Sequence, residues 1–193
     1  MYETFETAPM TLRHRLTIEP MTAESFAPFG RLLEPSGMPA DRRVMTPSEF
    51  ECDGGTTIHT IWQPSAGRSF SRLERHFGVT QTFFQLSGSP SVVCVARPTD
   101  LDDPNAVPRH EEVRALLIDL GRRFSFGRGT WHSLDRYVLA PPGATFVILN
   151  VDPNPTQIVD YRDGTSLRFS DLDTDSTPMR SKVDTGPSLE FEV

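Results

Sequence analysis

What this 193-residue chain has little of narrows the field first. It carries only two cysteines, Cys52 and Cys94, so a disulfide framework is excluded; Cys94 lies in the apolar run Val92-Val93-Cys94-Val95-Ala96 and reads as a buried thiol. No apolar run approaches the roughly eighteen residues that a spanning helix needs. The opening MYETFETAP places acids where a signal peptide carries basic residues and then an apolar stretch. The expectation is a soluble, cytoplasmic protein with no membrane partner. Basic residues are also in deficit, 19 Lys and Arg against 26 Asp and Glu, a formal charge of −7. Without a basic face there is nothing to displace counterions from a phosphate backbone, which excludes nucleic acid as a partner. No Ser-His-Asp order, phosphate-cradling glycine loop or Cys-x-x-Cys pair is present.

What is there alternates. The length suits one domain with a proper core, and short alternating runs bounded by Gly and Pro predict strands at 16–20, 56–63, 69–76, 80–86, 91–96, 113–119, 123–126, 130–134 and 144–152. That pattern means an all-β barrel or sandwich. Thr22 is placed to cap a short helix over 23–29, with Phe26 and Phe29 on one face and Gly30 ending it. Residues 1–15 read as an N-terminal arm, 16–170 as the barrel domain, and 171–193 as a polar, acidic tail that is disordered or reaches across a neighbouring subunit. The segment 98–112, with Asp100, Asp102 and Asp103, reads as a solvated excursion between strands. Trp62 and Trp131 read as core or rim aromatics, His14 and His110 as exposed, and His59 as a structural histidine near the barrel interior.

The chemistry-bearing residues recur at fixed intervals. Glu74-x-His76 is followed by four residues, Gln81, six residues and Gly88; further on stand Gly121, five residues, Gly127-Arg128-Gly129, two residues, His132, three residues and Arg136. Both frames match the two halves of the cupin signature, although several letters differ from its usual ones. In an extended strand Glu74 and His76 share a face while Arg75 points the other way. The returning strand can bring Gln81 beside them, and His132 arrives on another strand after a glycine turn. Two imidazoles, a carboxylate and an amide oxygen suit a divalent metal of borderline hardness, with Ni, Zn, Mn and Fe all acceptable. The metal set is therefore Glu74, His76, Gln81 and His132. Arginines gather near both frames, which suits a small anionic substrate; by strand parity Arg72 and Arg136 are the ones that face the interior, with Gln85 also projecting inward.

The sequence also resembles a particular branch of the cupins. Leu73-Glu74-Arg75-His76, then Thr80-Gln81-Thr82-Phe83, then Gly129-Thr130-Trp131-His132 resemble the ureidoglycolate lyase family in type and order, and Glu24-Ser25-Phe26-Ala27-Pro28-Phe29-Gly30 is similar to that family's opening helix. The resemblance runs over roughly residues 16 to 152. It implies a cupin-type double-stranded β-helix, a jelly-roll barrel with a short N-terminal helix. It further implies a carbon–nitrogen lyase of purine-nitrogen salvage that splits ureidoglycolate, an allantoin-degradation intermediate, into glyoxylate and urea, and a homodimer paired through strand edges. Glu74, His76 and His132 would be catalytic, with Arg72, Gln81 and Arg136 on the substrate. The walls differ from the family's usual letters: Asp53-Gly54-Gly55-Thr56-Thr57-Ile58-His59 stands where an Asn-x-Gly and Arg-Tyr-His-Asp run is common, Ser133-Leu134 follows Trp131-His132, and Asn150-Val151-Asp152-Pro153-Asn154-Pro155 replaces a run containing Asn-Cys-Glu. Another small hydroxy acid, ureide or oxo compound as substrate, or a non-catalytic ligand-binding cupin, are the alternatives at this point.

Overall fold

A computed structural model describes residues 11–193, and its architecture is almost entirely β. In chain order the elements are β1 (Leu12–Arg15), β2 (Ile18–Pro20), α1 (Ala23–Phe26), β3 (Gly30–Leu32), β4 (Gly55–Pro64), β5 (Ser69–Phe70), β6 (Arg72–His76), β7 (Thr82–Gly88) and β8 (Ser91–Ala96). A single 3-10 turn, His110–Glu112, precedes β9 (Arg114–Ile118), β10 (Arg123–Phe126), β11 (Trp131–Ser133), β12 (Tyr137–Val138) and β13 (Gly143–Asp152). The chain ends with β14 (Thr156–Asp160), β15 (Thr165–Phe169), β16 (Met179–Lys182) and β17 (Leu189–Glu192).

Two sheets make the barrel walls. One runs β3-β10-β7-β13-β4; the other runs β16-β15-β14-β6-β11-β8-β9-β2, with β12 beside β8. A small third sheet, β1-β17-β5, covers one side. Alternation along β8 explains why its six residues are all buried. Val93 and Val95 enter a core shared with Phe83, Phe124, Phe126 and Phe146 of the five-stranded sheet and with Phe26 and Phe29 at α1. Val92, Cys94 and Ala96 enter a second core on the other side, with Trp131, Tyr161, Leu189 and Phe191. Apart from Ser91 at its start, the strand is apolar, as burial on both faces favours.

Several expectations are corrected. The helix is a single turn, Ala23–Phe26, ended before Pro28; Thr22 caps it as expected, its hydroxyl accepting from the Ser25 amide at 3.0 Å. Phe29 still packs against Phe26, with ring centroids 6.3 Å apart. Of the expected arm, residues 1–10 lie outside the described residues, while Leu12–Arg15 pair in parallel with Leu189–Glu192. The acidic tail is not disordered over 179–182 and 189–192: β16 extends the large sheet and β17 buries Leu189 and Phe191. The 98–112 excursion exposes Pro98, Leu101, Asn105 and Arg109 as well as its acids, but its backbone is held down by Arg75, Gln157 and Tyr161 side chains. His14 and His110 are half-buried and meet edge to face at 5.3 Å. Trp131 is fully buried, whereas Trp62 is exposed on β4. Cys94 is a buried free thiol. No described helix is long and apolar enough to cross a membrane.

Candidate metal and substrate site

The barrel interior is apolar at one end and polar at the other. Phe83 and Ile148 belong both to the first core and to the wall of a cavity of about 210 Å³. Glu74 and His76 of β6, Gln81 just before β7 and Arg136 just before β12 line that cavity. Strand register makes the cluster: His132 of β11 lies directly opposite Glu74 of β6, and Thr156 of β14 lies opposite His76 on the other flank. Ligand atoms of Glu74, His76 and His132 all come within 4.8 Å of one another.

The second glycine frame aims His132. The Thr130 amide donates to the Gly127 carbonyl at 3.1 Å, closing a tight turn, and the Gly129 amide donates to the His76 carbonyl at 2.9 Å. Gly129 sits at φ +72°, in the left-handed region that side chains disfavour. That turn brings β11 back beside β6, and the His132 ring then stacks on Phe126, 4.6 Å between centroids and 4° between planes. Gly88 closes the first frame at φ +97°, where a Cβ would run into the backbone of Gly143.

A hydroxyl relay orients His76. The Thr156 hydroxyl donates to the Asn154 carbonyl at 3.0 Å. It therefore accepts from His76 Nδ1 at 2.8 Å, which leaves the Nε2 lone pair bare toward the cavity. His132 Nδ1 makes a comparable contact to the Ser133 carbonyl at 3.2 Å. Both Nε2 atoms are buried with no hydrogen-bond partner. Two bare imidazole nitrogens beside a carboxylate are a donor set that could hold a divalent cation.

The arginines separate. Arg136 is buried, its Cζ 4.5 Å from the Phe83 ring centroid, with Nη2 on the Leu134 carbonyl and Nη1 unpartnered. Arg72 is exposed and lines a neighbouring cavity with Asp135 and Arg162, away from the histidines. Arg128 grips Asp53 with both terminal nitrogens, at 2.6 and 2.8 Å, and Arg122 pairs with Glu34. Gln85 is buried but donates to the Ser89 carbonyl and does not enter the cavity. His59 lies at the cavity rim with Nε2 2.9 Å from the Thr57 hydroxyl. The cavity wall also includes Asn150 and Asn154, which the sequence reading placed in a departing wall run without giving either a role, and Leu172 and Asp173, which it did not single out.

Residues 13–162 match the family model for ureidoglycolate lyase. A ureidoglycolate lyase of Rhodobacter capsulatus is 34% identical over 142 residues, 67% of this chain and 81% of that protein. The ureidoglycolate lyase of Azotobacter vinelandii is 31% identical over 138 residues, 61% and 74% of the two chains. The chain belongs to the ureidoglycolate lyase family.

In this ureidoglycolate lyase family member the site's electrostatics divide its groups. Burial is the main force raising the Glu74 carboxyl to about 7, against the attraction of Arg136. Burial and then Arg136 lower His76 to about 4, with a contact to the Asn154 amide opposing them. Burial, His76 and Arg136 hold His132 well below the ordinary histidine value. At neutral pH both imidazoles are therefore neutral and the carboxyl is present in both forms.

The raised carboxyl has a stability consequence. Its folded-state pKa lies above its unfolded one, so folding is favoured below about pH 4.5 and that advantage is lost as pH rises through 7. The two depressed histidines act in the opposite sense, losing stability as pH falls below the unfolded histidine value. A Glu74→Gln variant isolates the first effect. In metal-stripped protein its stability advantage over wild type is expected to grow between pH 4.5 and 8, to about 3 kcal/mol. Urea unfolding of both proteins across that range checks it, and parallel curves would rule it out.

Proposed function

We propose that this chain catalyses the reaction for which its family is named, the elimination of urea from ureidoglycolate to give glyoxylate. The observation that carries this reading is a set of buried, unpartnered polar atoms: His76 Nε2, Gln81 Oε1 and Arg136 Nη1 from residues of one cavity wall, and His132 Nε2 in the ligand cluster with Glu74 and His76. A barrel used only as a scaffold fills such a space with apolar side chains. Unsatisfied buried groups are costly in an empty protein, and a ligand of matching polarity relieves them. Neither a non-catalytic cupin nor a different substrate is favoured by any of these features.

The reaction moves few atoms. The carbinol oxygen gives up its proton and becomes the aldehyde oxygen; the carbon–nitrogen bond breaks with its electron pair on nitrogen, which takes up a proton as urea leaves. No water is consumed. Arg136, the unpaired cation of the cavity, receives the substrate carboxylate on Nη1. The His76 Nε2 lone pair, fixed by the Thr156 relay, is placed to accept the carbinol proton. Glu74, with Oε1 3.9 Å from His76 Nε2, is the group that holds a proton for the leaving nitrogen. One carboxyl raised and one imidazole lowered is the division of labour that acid and base require. Those two roles belong to the metal-free site; alternatively Glu74, His76 and His132, with Gln81 as a fourth donor, would hold a divalent cation through the same atoms, which then no longer serve as base and acid. When bound, such a cation lowers the pKa of a substrate hydroxyl as it does that of water.

The same reading extends to a homodimer. β4 forms a ten-residue edge of the five-stranded sheet, with Ile58 and Trp62 exposed on it, and an open apolar edge favours pairing.

Glyoxylate release from (S)-ureidoglycolate tests the activity. Metal-stripped protein, reloaded separately with Ni, Mn, Zn and Fe, is expected to turn over in at least one form. Absence of release in every form, stripped protein included, would falsify the lyase reading.

A further inference from the structure

Two cavity residues outside the metal and acid–base set share an unusual property. Asn154 is 3% exposed and its Oδ1 has no partner, and the half-buried Asn150 also presents an unpartnered Oδ1 to the same cavity. The rest of Asn154 is tightly held. Its amide donates to Asp171 Oδ1 at 3.0 Å, and its carbonyl accepts from the Leu172 amide and the Thr156 hydroxyl, each at 3.0 Å. Asn150 is fixed by ladder pairing of β13, opposite Thr57. These side chains are therefore positioned by backbone contacts; the Asn154 amide also lies against the His76 ring, and both Oδ1 atoms are without a hydrogen-bond partner.

The polarity of the cavity has a direction. Arg136 offers one buried cationic donor, which suits a carboxylate. Asn150 and Asn154 offer bare carbonyl oxygens, which suit N–H donors, and their amide nitrogens can serve a carbonyl beside those donors. A ligand that satisfies both carries a carboxylate and N–H donors beside a carbonyl, as a carbamoylamino acid does. A simple 2-hydroxy or 2-oxo acid satisfies only the first. We propose that Asn150 and Asn154 are specificity-determining residues that bind the carbamoylamino end of the substrate, an assignment that rests on the lyase reading for the identity of that substrate. It gives the departure at Asn150-Val151-Asp152-Pro153-Asn154 a positive role, since both asparagines belong to that run.

The test separates recognition from turnover. N-carbamoylglycine has the carboxylate and carbamoylamino group but no carbinol hydroxyl, so it has nothing to eliminate; glycolate has the carboxylate and hydroxyl alone. Calorimetric titration of wild type, Asn154→Ala and Asn150→Ala, all in one metal state, is expected to show N-carbamoylglycine bound more tightly than glycolate by wild type. Each substitution is expected to weaken N-carbamoylglycine about ten-fold, the scale of a lost buried hydrogen bond, and to leave glycolate unchanged. Parallel weakening of both ligands would mean the asparagines only shape the cavity and would overturn the proposal. So would unchanged binding of N-carbamoylglycine, or equal wild-type affinity for the two ligands. Selective binding without turnover of ureidoglycolate would remove the lyase reading and leave the asparagine assignment standing; turnover without selective binding would do the reverse.

Discussion

Alanine in place of His76 is expected to lower kcat for ureidoglycolate by about 10³-fold or more, within the range for loss of a positioned proton-transfer group, and His132→Ala is expected to match it. Both rings are buried and neutral at working pH and each is held by an Nδ1 contact, His76 on the cavity wall and His132 in the ligand cluster beside Glu74. Whether Nε2 takes a proton or holds a cation, no neighbouring group replaces it: Gln81 is not basic, and Glu74 is already engaged. The relay supplies a graded control. Thr156→Val removes the acceptor for His76 Nδ1–H and frees the ring to turn, and a loss of about 10-fold to 100-fold is expected, the usual scale for a partner that orients a ligand histidine. Steady-state glyoxylate release measures all three variants, and near-ultraviolet circular dichroism shows whether each retains wild-type packing. A folded His76→Ala protein within ten-fold of wild-type kcat would remove His76 from the chemistry.

The site was legible where strand parity and a fixed frame coincide. Glu74 and His76 share a face because they are two apart on β6, and His132 follows from a glycine turn whose geometry allows little choice. Parity fixes a face and says nothing of depth. Arg72 is on the face of Glu74 yet begins its strand, opposite Asp160, and so falls beyond the cavity into its neighbour. Gln85 shows the same limit: a register shift between Thr145 and Phe146 on the partner strand lies beside it, and its amide turns to Ser89. The fold class was readable from alternation, whereas β14 to β17 were not. β16 carries Met-Arg-Ser-Lys with no buried side chain and exists only because β15 pairs with it. β17 does alternate, Leu189 and Phe191 in and Glu190 and Glu192 half-exposed, but four residues at a polar terminus carry too short a pattern. Thr156 was missed, and Asn150 and Asn154 were seen only as part of a differing wall run with no role, for a related reason, since neutral polar side chains acquire chemical meaning only from what surrounds them.

Arg75, between the two site residues of β6, is expected to be the costliest single position for stability. Its side chain is fully buried on the face opposite the cavity, with no carboxylate hydrogen-bonded to it. Nε and Nη2 donate to Gln157 Oε1 at 3.0 and 2.7 Å; Nη1 donates to the Thr99 hydroxyl at 2.9 Å and to the Asp100 carbonyl at 3.1 Å. Its Cζ lies 4.6 Å from the Trp131 ring centroid and 5.0 Å from that of Phe77. Burial, then Arg168, push the guanidinium down to about 10 while Asp100 and Asp103 oppose them, so it stays charged at neutral pH. Charge is thus balanced by dipoles and ring faces spread over a plane, which a guanidinium fits and an ammonium does not. Arg75→Ala leaves those buried acceptors bare and opens a void, for an expected loss of about 3–5 kcal/mol, and Arg75→Lys should recover little of it. Urea unfolding gives the magnitude, and hydrogen exchange should show first loosening in 98–112, the segment whose carbonyls Arg75 holds. An Arg75→Ala protein within 1 kcal/mol of wild type, about the size of one ordinary hydrogen bond, would contradict this account. If the loss is found, the tripeptide Glu74-Arg75-His76 serves the molecule on both faces of one strand: its outer residues line the cavity, and the residue between them fastens the wall from which they project.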